Sequence, residues 1–153
     1  MKILKPLALA AGLTVAMGSL PAWAVLGETA ASIQSDAAVL KSAITPRSVA
    51  RAEFTVQRLT LPSGTLVDEY VSAYGTVFAF AWHGRRPPDL SQLLGTYFAE
   101  YRTLATQPHL RRSHVRIDTG RMIYQAGGHM RDYWGSAYVP ALLPAGVTAE
   151  DLQ

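Results

Sequence analysis

Two glycines, a histidine and an arginine stand together near the end of the chain, at Gly127, Gly128, His129 and Arg131. Glycines let backbone amides approach an anion, as they do in concave phosphate-binding nests. His129 can change charge near neutral pH, and Arg131 projects to the same side if the segment is extended. These four residues are therefore the candidate ligand-binding site. Paired glycines also suit a bulge or a tight crossing between strands, and this structural alternative stays open.

No other arrangement of residues indicates a catalytic centre or a bound metal. The four histidines are His83, His109, His114 and His129. None of their spacings matches the H-E-x-x-H pattern of zinc enzymes, and the chain has no G-x-S-x-G nucleophile elbow. Asp68 and Glu69 are adjacent, so on a strand they point to opposite faces and cannot act as a pair. We therefore predict no catalytic residues, no metal and no cofactor, which favours a binding protein over an enzyme.

A three-stranded antiparallel β-meander is the clearest structural element of the sequence. Its predicted strands are residues 54–61, 65–72 and 76–82. They are rich in β-branched and aromatic residues, and they are separated by the turns Pro62-Ser63-Gly64 and Ala73-Tyr74-Gly75. The third strand is apolar on both faces, which is typical of a central strand covered on both sides.

The geometry of the two turns predicts which residues face each other across the meander. In the first hairpin Arg58 lies opposite Asp68, and their opposite charges support this register. The same rule applied to the second turn places Tyr70 opposite Phe78. Strict alternation along the third strand then puts Phe78 and Phe80 on one face.

A weak helix is predicted before the meander. Ile33, Leu40 and Ile44 form a thin apolar stripe in an alanine-rich segment, which predicts a helix over residues 29–43 that docks by few contacts. The turn chemistry of Thr45-Pro46 ends it.

A long amphipathic helix is predicted after the meander, over residues 89–104. Asp89 is its N-cap, and Gln92 stands three residues later in the capping-box position. Apolar residues recur at steps of three and four, so one stripe should be buried against the sheet. The stripe contains Leu94, Tyr97, Phe98 and Tyr101.

The C-terminal part predicts a second hairpin, over residues 114–125 with its turn at Asp118-Thr119-Gly120, and a further strand over residues 130–138. Two prolines make residues 140–147 an extended segment laid over the core. The sequence therefore predicts an α+β fold. An antiparallel three-stranded meander and a C-terminal hairpin are combined with one long helix packed on the sheet and a weaker N-terminal helix.

The first 24 residues have the pattern of a cleavable secretory signal peptide. Lys2 and Lys5 precede an uncharged, mostly apolar run, which ends at the small-x-small cleavage pattern Ala22-Trp23-Ala24. The run is shorter than the ~20 residues that span a bilayer, so no stable membrane anchor is expected after cleavage. We predict residues 1–24 as signal peptide and residues 25–153 as a single exported domain, periplasmic or secreted.

The predicted domain is nearly neutral and has no cysteine. The chain has 14 Lys and Arg residues, which fall to 12 without Lys2 and Lys5, against 11 Asp and Glu. The net charge of the domain is therefore +1. A nucleic-acid-binding domain would show a concentrated basic face, so no nucleic acid partner is predicted. Without disulfides, the domain must be stabilised by its hydrophobic core.

Most of the predicted domain resembles a known family. The residues that carry the resemblance are Leu61-Pro62-Ser63-Gly64-Thr65, Glu69-Tyr70-Val71-Ser72, residues 77–82, Pro88-Asp89-Leu90, residues 93–98, residues 127–131 and residues 137–147. In this order they resemble an exported proteobacterial family known as domain of unknown function 2844. The resemblance implies a signal peptide and a single exported domain, and it implies no activity and no catalytic residues.

Three hypotheses for function follow from these observations. The first is a non-catalytic binding or accessory module of the cell envelope, whose partner is unknown and could be another exported protein. The second is an envelope enzyme that uses His129 and Arg131. The third is a periplasmic assembly factor that acts through a sheet edge, since sheet edges can add a partner strand.

Overall fold

One seven-stranded antiparallel sheet forms the centre of the protein. The computed structural model describes residues 26–47, 53–106 and 114–152. The strands are β1 (Ala43–Arg47), β2 (Phe54–Thr60), β3 (Leu66–Ser72), β4 (Val77–Gly84), β5 (His114–Asp118), β6 (Ile123–His129) and β7 (Asp132–Tyr138). They are ordered β1-β2-β3-β4-β7-β6-β5. Two meanders, β1–β4 and β5–β7, are thus joined by the pairing of β4 with β7.

Different elements cover the two faces of the sheet. The helix face is covered by α1 (Ser32–Val39) and by a helical stretch made of α2 (Leu90–Leu94), a 3-10 turn (Gly95–Tyr97) and α3 (Phe98–Ala105). The tail face is covered by C-terminal residues that include two 3-10 turns, Pro140–Leu142 and Ala149–Asp151. Val147 and Leu152 of the tail are buried on this face. Residues 140–147 thus cover the core as predicted, but they are not extended throughout, because Pro140–Leu142 forms a 3-10 turn.

The predicted α+β class with an antiparallel sheet is confirmed, but the predicted meander and hairpin understate the sheet. They are parts of one sheet, which also contains β1 in a region predicted as helix and loop. Helix α1 ends early because Lys41 adopts a φ of 50° and the amide of Ser42 donates to the carbonyl of Ala37 at 2.8 Å. The chain then extends into β1, whose Pro46 is tolerated because β1 is an edge strand.

The register of the first hairpin is confirmed. Arg58 lies opposite Asp68 across β2 and β3. Gly64 takes a φ of +80°, and the amide of Leu61 donates to the carbonyl of Thr65 at 2.9 Å. The turn therefore closes as its proline and glycine predict.

The predicted register of the second hairpin is wrong by one residue. Tyr70 lies opposite Ala79, because the ladder shifts between Tyr70 and Val71 and leaves Phe78 as the extra residue of a β-bulge. Phe78 and Ala79 consequently share the tail face, whereas Phe80 lies on the helix face. The aromatic residues of β4 are thus divided between the two cores.

The long helix begins where predicted but is interrupted. The side chain of Asp89 accepts from the amide of Ser91 at 2.9 Å. The capping-box bond predicted for Gln92 is not formed, since its Oε1 has no partner among the described residues. Gly95, with a φ of 46°, separates α2 from α3 through the 3-10 turn.

The predicted apolar stripe of this helix is buried at one end only. Leu94 and Tyr97 are buried against the sheet. Phe98 and Tyr101 are half-buried, with their rings stacked at 6.0 Å between centroids. The Tyr101 ring also meets Tyr124 of β6 edge-on at 5.0 Å. The change from full to partial burial therefore falls at the end of the 3-10 turn, where α3 begins.

Some predictions fall on residues outside the described ranges. The predicted signal peptide, residues 1–24, is among them, and so is His109. Within the described ranges, no helix has the length and apolar character needed to span a bilayer.

Candidate functional site

The two glycines of the candidate site lie inside the sheet. Both belong to β6, where Gly127 pairs with Trp134 and Gly128 pairs with Tyr133 of β7. A Cβ atom on Gly127 would lie 2.9 Å from His114 Cδ2 and 2.9 Å from Trp134 Cζ2. On Gly128 it would lie 2.1 Å from the carbonyl oxygen of Asp132. Close packing within the sheet therefore explains both glycines, since side chains crowd Gly127 and the backbone of β7 crowds Gly128.

His129 and Arg131 are separated by a turn. His129 is the last residue of β6 and pairs with Asp132, the first residue of β7. Met130 and Arg131 form the two-residue turn between them, with φ values of 50° and 69°. The segment is therefore not extended, and the expectation that His129 and Arg131 project to the same side through strand geometry is wrong. Both side chains are exposed.

The carboxylate next to this turn is bound by a different histidine. His83 Nε2, at the end of β4, lies 2.6 Å from Asp132 Oδ1. Both side chains are more than half exposed, at 63% and 68%. Sequence reasoning missed this pair because it requires the pairing of β4 with β7.

A groove with a volume of about 600 Å³ lies on the tail face of the sheet. We call it the tail groove. It is lined by Arg58, Leu66, Asp68, Ala81, Trp82, His83, Gln125, Trp134, Gly135, Ser136, Ala149 and Leu152. Strands β2, β3, β4, β7 and β6 form its floor, and the last turn of the tail forms one wall. Sequence reasoning did not identify this site.

The floor of the tail groove follows one row of the sheet. The row contains Arg58, Asp68, Ala81, Ser136 and Gln125, each directly opposite the next on adjacent strands. Directly opposed residues have their side chains on the same face. The central member of the row, Ala81, and its neighbour Ser136 are the small ones, so the floor is lowest near the middle of the sheet.

A partly buried ion pair occupies one end of the row. Arg58 donates from Nε to Asp68 Oδ1 and from Nη2 to Asp68 Oδ2, each at 2.6 Å. Hydrogen bonding to Asp68 raises the pKa of Arg58, an effect that partial burial opposes. The Asp68 side chain is 9% exposed and that of Arg58 is 33% exposed. Nε and Nη2 of Arg58 therefore bind the carboxylate, and the opposite edge of the guanidinium faces the groove.

A second row of the sheet adds aromatic and imidazole groups to one end of the groove. Leu66, His83 and Trp134 follow one another on adjacent strands, and the row continues through Gly127 to His114. The rings of His114 and Trp134 are 5.8 Å apart across the glycine. Gly127 thus lets the Trp134 ring lie over β6.

Arg131 meets two other arginines at the end of the sheet. Arg85, Arg86, Arg131 and Tyr133 line a cavity of about 360 Å³. We call this group the basic corner. The sequence prediction included Arg131 as a ligand-binding residue, but not the two arginines that the fold brings to it.

No metal centre is formed by the described part of the chain. None of its histidine, aspartate and glutamate residues gather in a group of three that could hold a metal ion.

The fold and the tail groove define an α+β domain with one antiparallel sheet and an open cavity on the face opposite its main helices. Residues 22–152 match the family described as "Protein of unknown function (DUF2844)", and the chain belongs to this family. No curated protein and no solved structure matches the chain.

Proposed function

We propose that this protein is an exported, non-catalytic binding module of the cell envelope that holds a small ligand in the tail groove. The observation that carries the proposal is the groove itself. Its volume of about 600 Å³ falls within the range of about 300–1,000 Å³ typical of small-molecule sites. Polar groups along the floor are combined with apolar walls, which is the usual composition of such sites.

The lining indicates the chemistry of the ligand. Ser136 in the middle of the floor and Gln125 at one end offer hydrogen-bond donors and acceptors, and Arg58 at the other end offers the edge of its guanidinium that does not face Asp68. Trp134 and Leu152 supply apolar surface at the sides. A small molecule with an apolar body and a polar group that accepts hydrogen bonds fits this arrangement.

Binding is favoured over catalysis by the contacts around the groove. His83 is oriented by Asp132, as a catalytic base would be, but both groups are exposed. Among the described residues, no hydrogen bond joins His83 to the hydroxyl of Ser136. The enzyme hypothesis based on His129 and Arg131 gains no support, because the carboxylate beside His129 is bound to His83.

The edges of the sheet are poorly suited to adding a partner strand. Edge strand β1 contains Pro46, which has no amide hydrogen to donate. Edge strand β5 is five residues long and places exposed charges at Arg116 and Asp118. Short, charged or proline-containing edges oppose strand addition. These features favour the groove over the assembly-factor hypothesis.

Blocking the groove tests the proposal. Ala81→Phe places a ring on the groove floor, and Thr55→Phe places the same ring at an exposed strand position outside the lining. The probe is the dye 8-anilinonaphthalene-1-sulfonate, which has an apolar body and an anionic group. We expect Ala81→Phe to weaken saturable dye binding by about tenfold or more, a loss of about 1.4 kcal/mol of binding free energy.

The control and the natural ligand complete this test. Thr55→Phe should bind the dye as the wild type does, and the small-molecule fraction of an envelope extract should displace the dye from both. Equal dye affinity of Ala81→Phe and wild type, with both proteins folded by circular dichroism, would refute the groove as a binding site.

Export is tested separately. The proposal rests on the two N-terminal lysines, the apolar run and the cleavage pattern that ends at Ala24. N-terminal sequencing of the protein from fractionated cells should give Val25 as the first residue, in the periplasmic or secreted fraction. Recovery of an intact Met1 in the cytoplasmic fraction would contradict the proposal.

A further inference from the structure

We propose that the basic corner is a binding site for a phosphate group. This inference does not rest on the function proposed for the tail groove, because the two cavities have no lining residue in common. The basic corner lies where β4 ends and β7 begins, and it is built from Arg85, Arg86, Arg131 and Tyr133.

The three arginines face one cavity without compensating carboxylates. None of the ion pairs formed within the described residues includes Arg85, Arg86 or Arg131. Asp132, which follows Arg131, is bound to His83 at 2.6 Å. Like charges that line one cavity repel each other, and a bound anion removes that cost.

The acidic residue closest in sequence to Arg85 and Arg86 is also engaged. Asp89 accepts from the amide of Ser91 at 2.9 Å and from its hydroxyl at 2.5 Å, as the cap of α2. The acids that flank the corner in sequence therefore have structural partners, and none of the described residues neutralises its guanidinium groups.

Both sides of the corner are fixed by the fold. On one side, the hydroxyl of Thr65 donates to the carbonyl of Arg86 at 2.9 Å. Gly84 packs so closely on Thr65 that a Cβ atom there would lie 2.7 Å from Thr65 Cα. The backbone is therefore held in place where Arg85 and Arg86 follow the end of β4.

On the other side, the two-residue turn holds Arg131. Its φ of 69° lies in the left-handed region, which non-glycine residues rarely adopt. Tyr133 follows in β7, directly opposite Gly84 of β4. The cross-strand pair therefore joins the two sides and forms the wall between the arginines.

The donor set identifies the class of ligand. Each guanidinium presents a planar fork of N–H groups that matches two oxygens of a phosphate. Three such forks around a cavity of about 360 Å³ suit a tetrahedral oxyanion with an organic group attached. Such a phosphate can belong to a soluble ester or to a lipid headgroup, and Met130, 92% exposed at the tip beside Arg131, would touch the membrane in the second case.

Calorimetric titration of the full chain with glycerol 3-phosphate tests the site, at constant ionic strength maintained with chloride. We expect one saturable site per chain. Arg85→Gln, Arg86→Gln and Arg131→Gln should each weaken binding by about tenfold or more, because each removes charge-assisted hydrogen bonds to the anion. Arg102→Gln is the matched control, since it removes one exposed charge on α3 outside the corner, and it should change affinity less than twofold.

Vesicles distinguish the two sources of phosphate. Co-sedimentation with phosphatidylglycerol vesicles, compared with phosphatidylcholine vesicles, should depend on the same three arginines and on Met130 if the ligand is a headgroup. Met130→Ser should leave the calorimetric titration unchanged in either case. Arginine-dependent binding in one assay or both supports the proposal.

Two results would overturn it. The first is no saturable binding in either assay. The second is binding that the three substitutions at the corner weaken no more than Arg102→Gln does. All of these side chains are exposed, so unfolding is not expected to obscure the comparison, and thermal denaturation of each variant verifies this.

Discussion

Gly128→Ala is expected to destabilise the domain by about 3 kcal/mol or more, at the top of the range for single substitutions. Gly128 has a φ of +122°, which side chains rarely permit, and a Cβ atom there would lie 2.1 Å from the carbonyl oxygen of Asp132. The contact is with backbone, so only a movement of β6 against β7 relieves it. Chemical denaturation monitored by circular dichroism measures the loss.

Gly64→Ala separates the two causes of the destabilisation expected for Gly128→Ala, which are the positive φ and the close contact with the backbone. Gly64 also has a positive φ, +80°, but nothing lies within 4 Å of the position its Cβ atom would take. It should cost only the conformational penalty, about 1–2 kcal/mol. Equal losses for the two variants would show that the close approach of the strands at Gly128 contributes nothing.

Phe78→Ala is expected to cost about 3–5 kcal/mol of the free energy of unfolding, as is usual for removing a fully buried phenylalanine. Phe78 is buried on the tail face, with its ring centroid 5.9 Å from that of Phe54 and 6.2 Å from that of Tyr70. Tyr74→Ala is the control, because Tyr74 is 96% exposed and its loss should be within about 0.5 kcal/mol of zero.

A double-mutant cycle tests the position of the β-bulge. Phe54→Ala and Phe78→Ala should be coupled by about 0.5–1.5 kcal/mol, as expected for an aromatic pair in contact. Phe54→Ala and Phe80→Ala should be additive to within about 0.5 kcal/mol, because Phe80 belongs to the opposite core. Coupling between Phe54 and Phe80, without coupling between Phe54 and Phe78, would contradict the observed register.

The parts of the fold that sequence predicted are those set by local chemistry. The turn that contains Pro62 and Gly64 fixes the first hairpin, so the pair Arg58–Asp68 follows from a few neighbouring residues. The predicted register of the second hairpin was wrong because it follows from the turn alone and omits the β-bulge at Phe78. The bulge places the Phe78 ring in the tail core while Phe80 lies in the opposite one. Strand β1 was not predicted, because the alanine-rich segment before it favours a helix, whereas the pairing of β1 with β2 decides the structure of residues 43–47.

In the candidate site, too, local features could be read from the sequence, whereas long-range pairings could not. Gly127 and Gly128 stood out in the sequence, but a conspicuous glycine pair does not reveal whether a ligand or a neighbouring strand requires it. The row that forms the groove floor runs through β4 and β7, and the basic corner joins Arg131 to residues that follow β4. Both depend on a pairing between segments far apart in the chain, for which no local pattern exists.

The pairing of β4 with β7 also bears on how the protein folds. Gly84 pairs with Tyr133 and Ala79 with Tyr138, separations of 49 and 59 residues, whereas the pairings within each meander close short loops. Closing a long loop costs more chain entropy, so contacts of this kind form late and slow the folding reaction. The two meanders can therefore form as separate units before they join. Since the groove floor crosses their junction, a partly folded chain has no complete groove, and a ligand there would stabilise the native state alone.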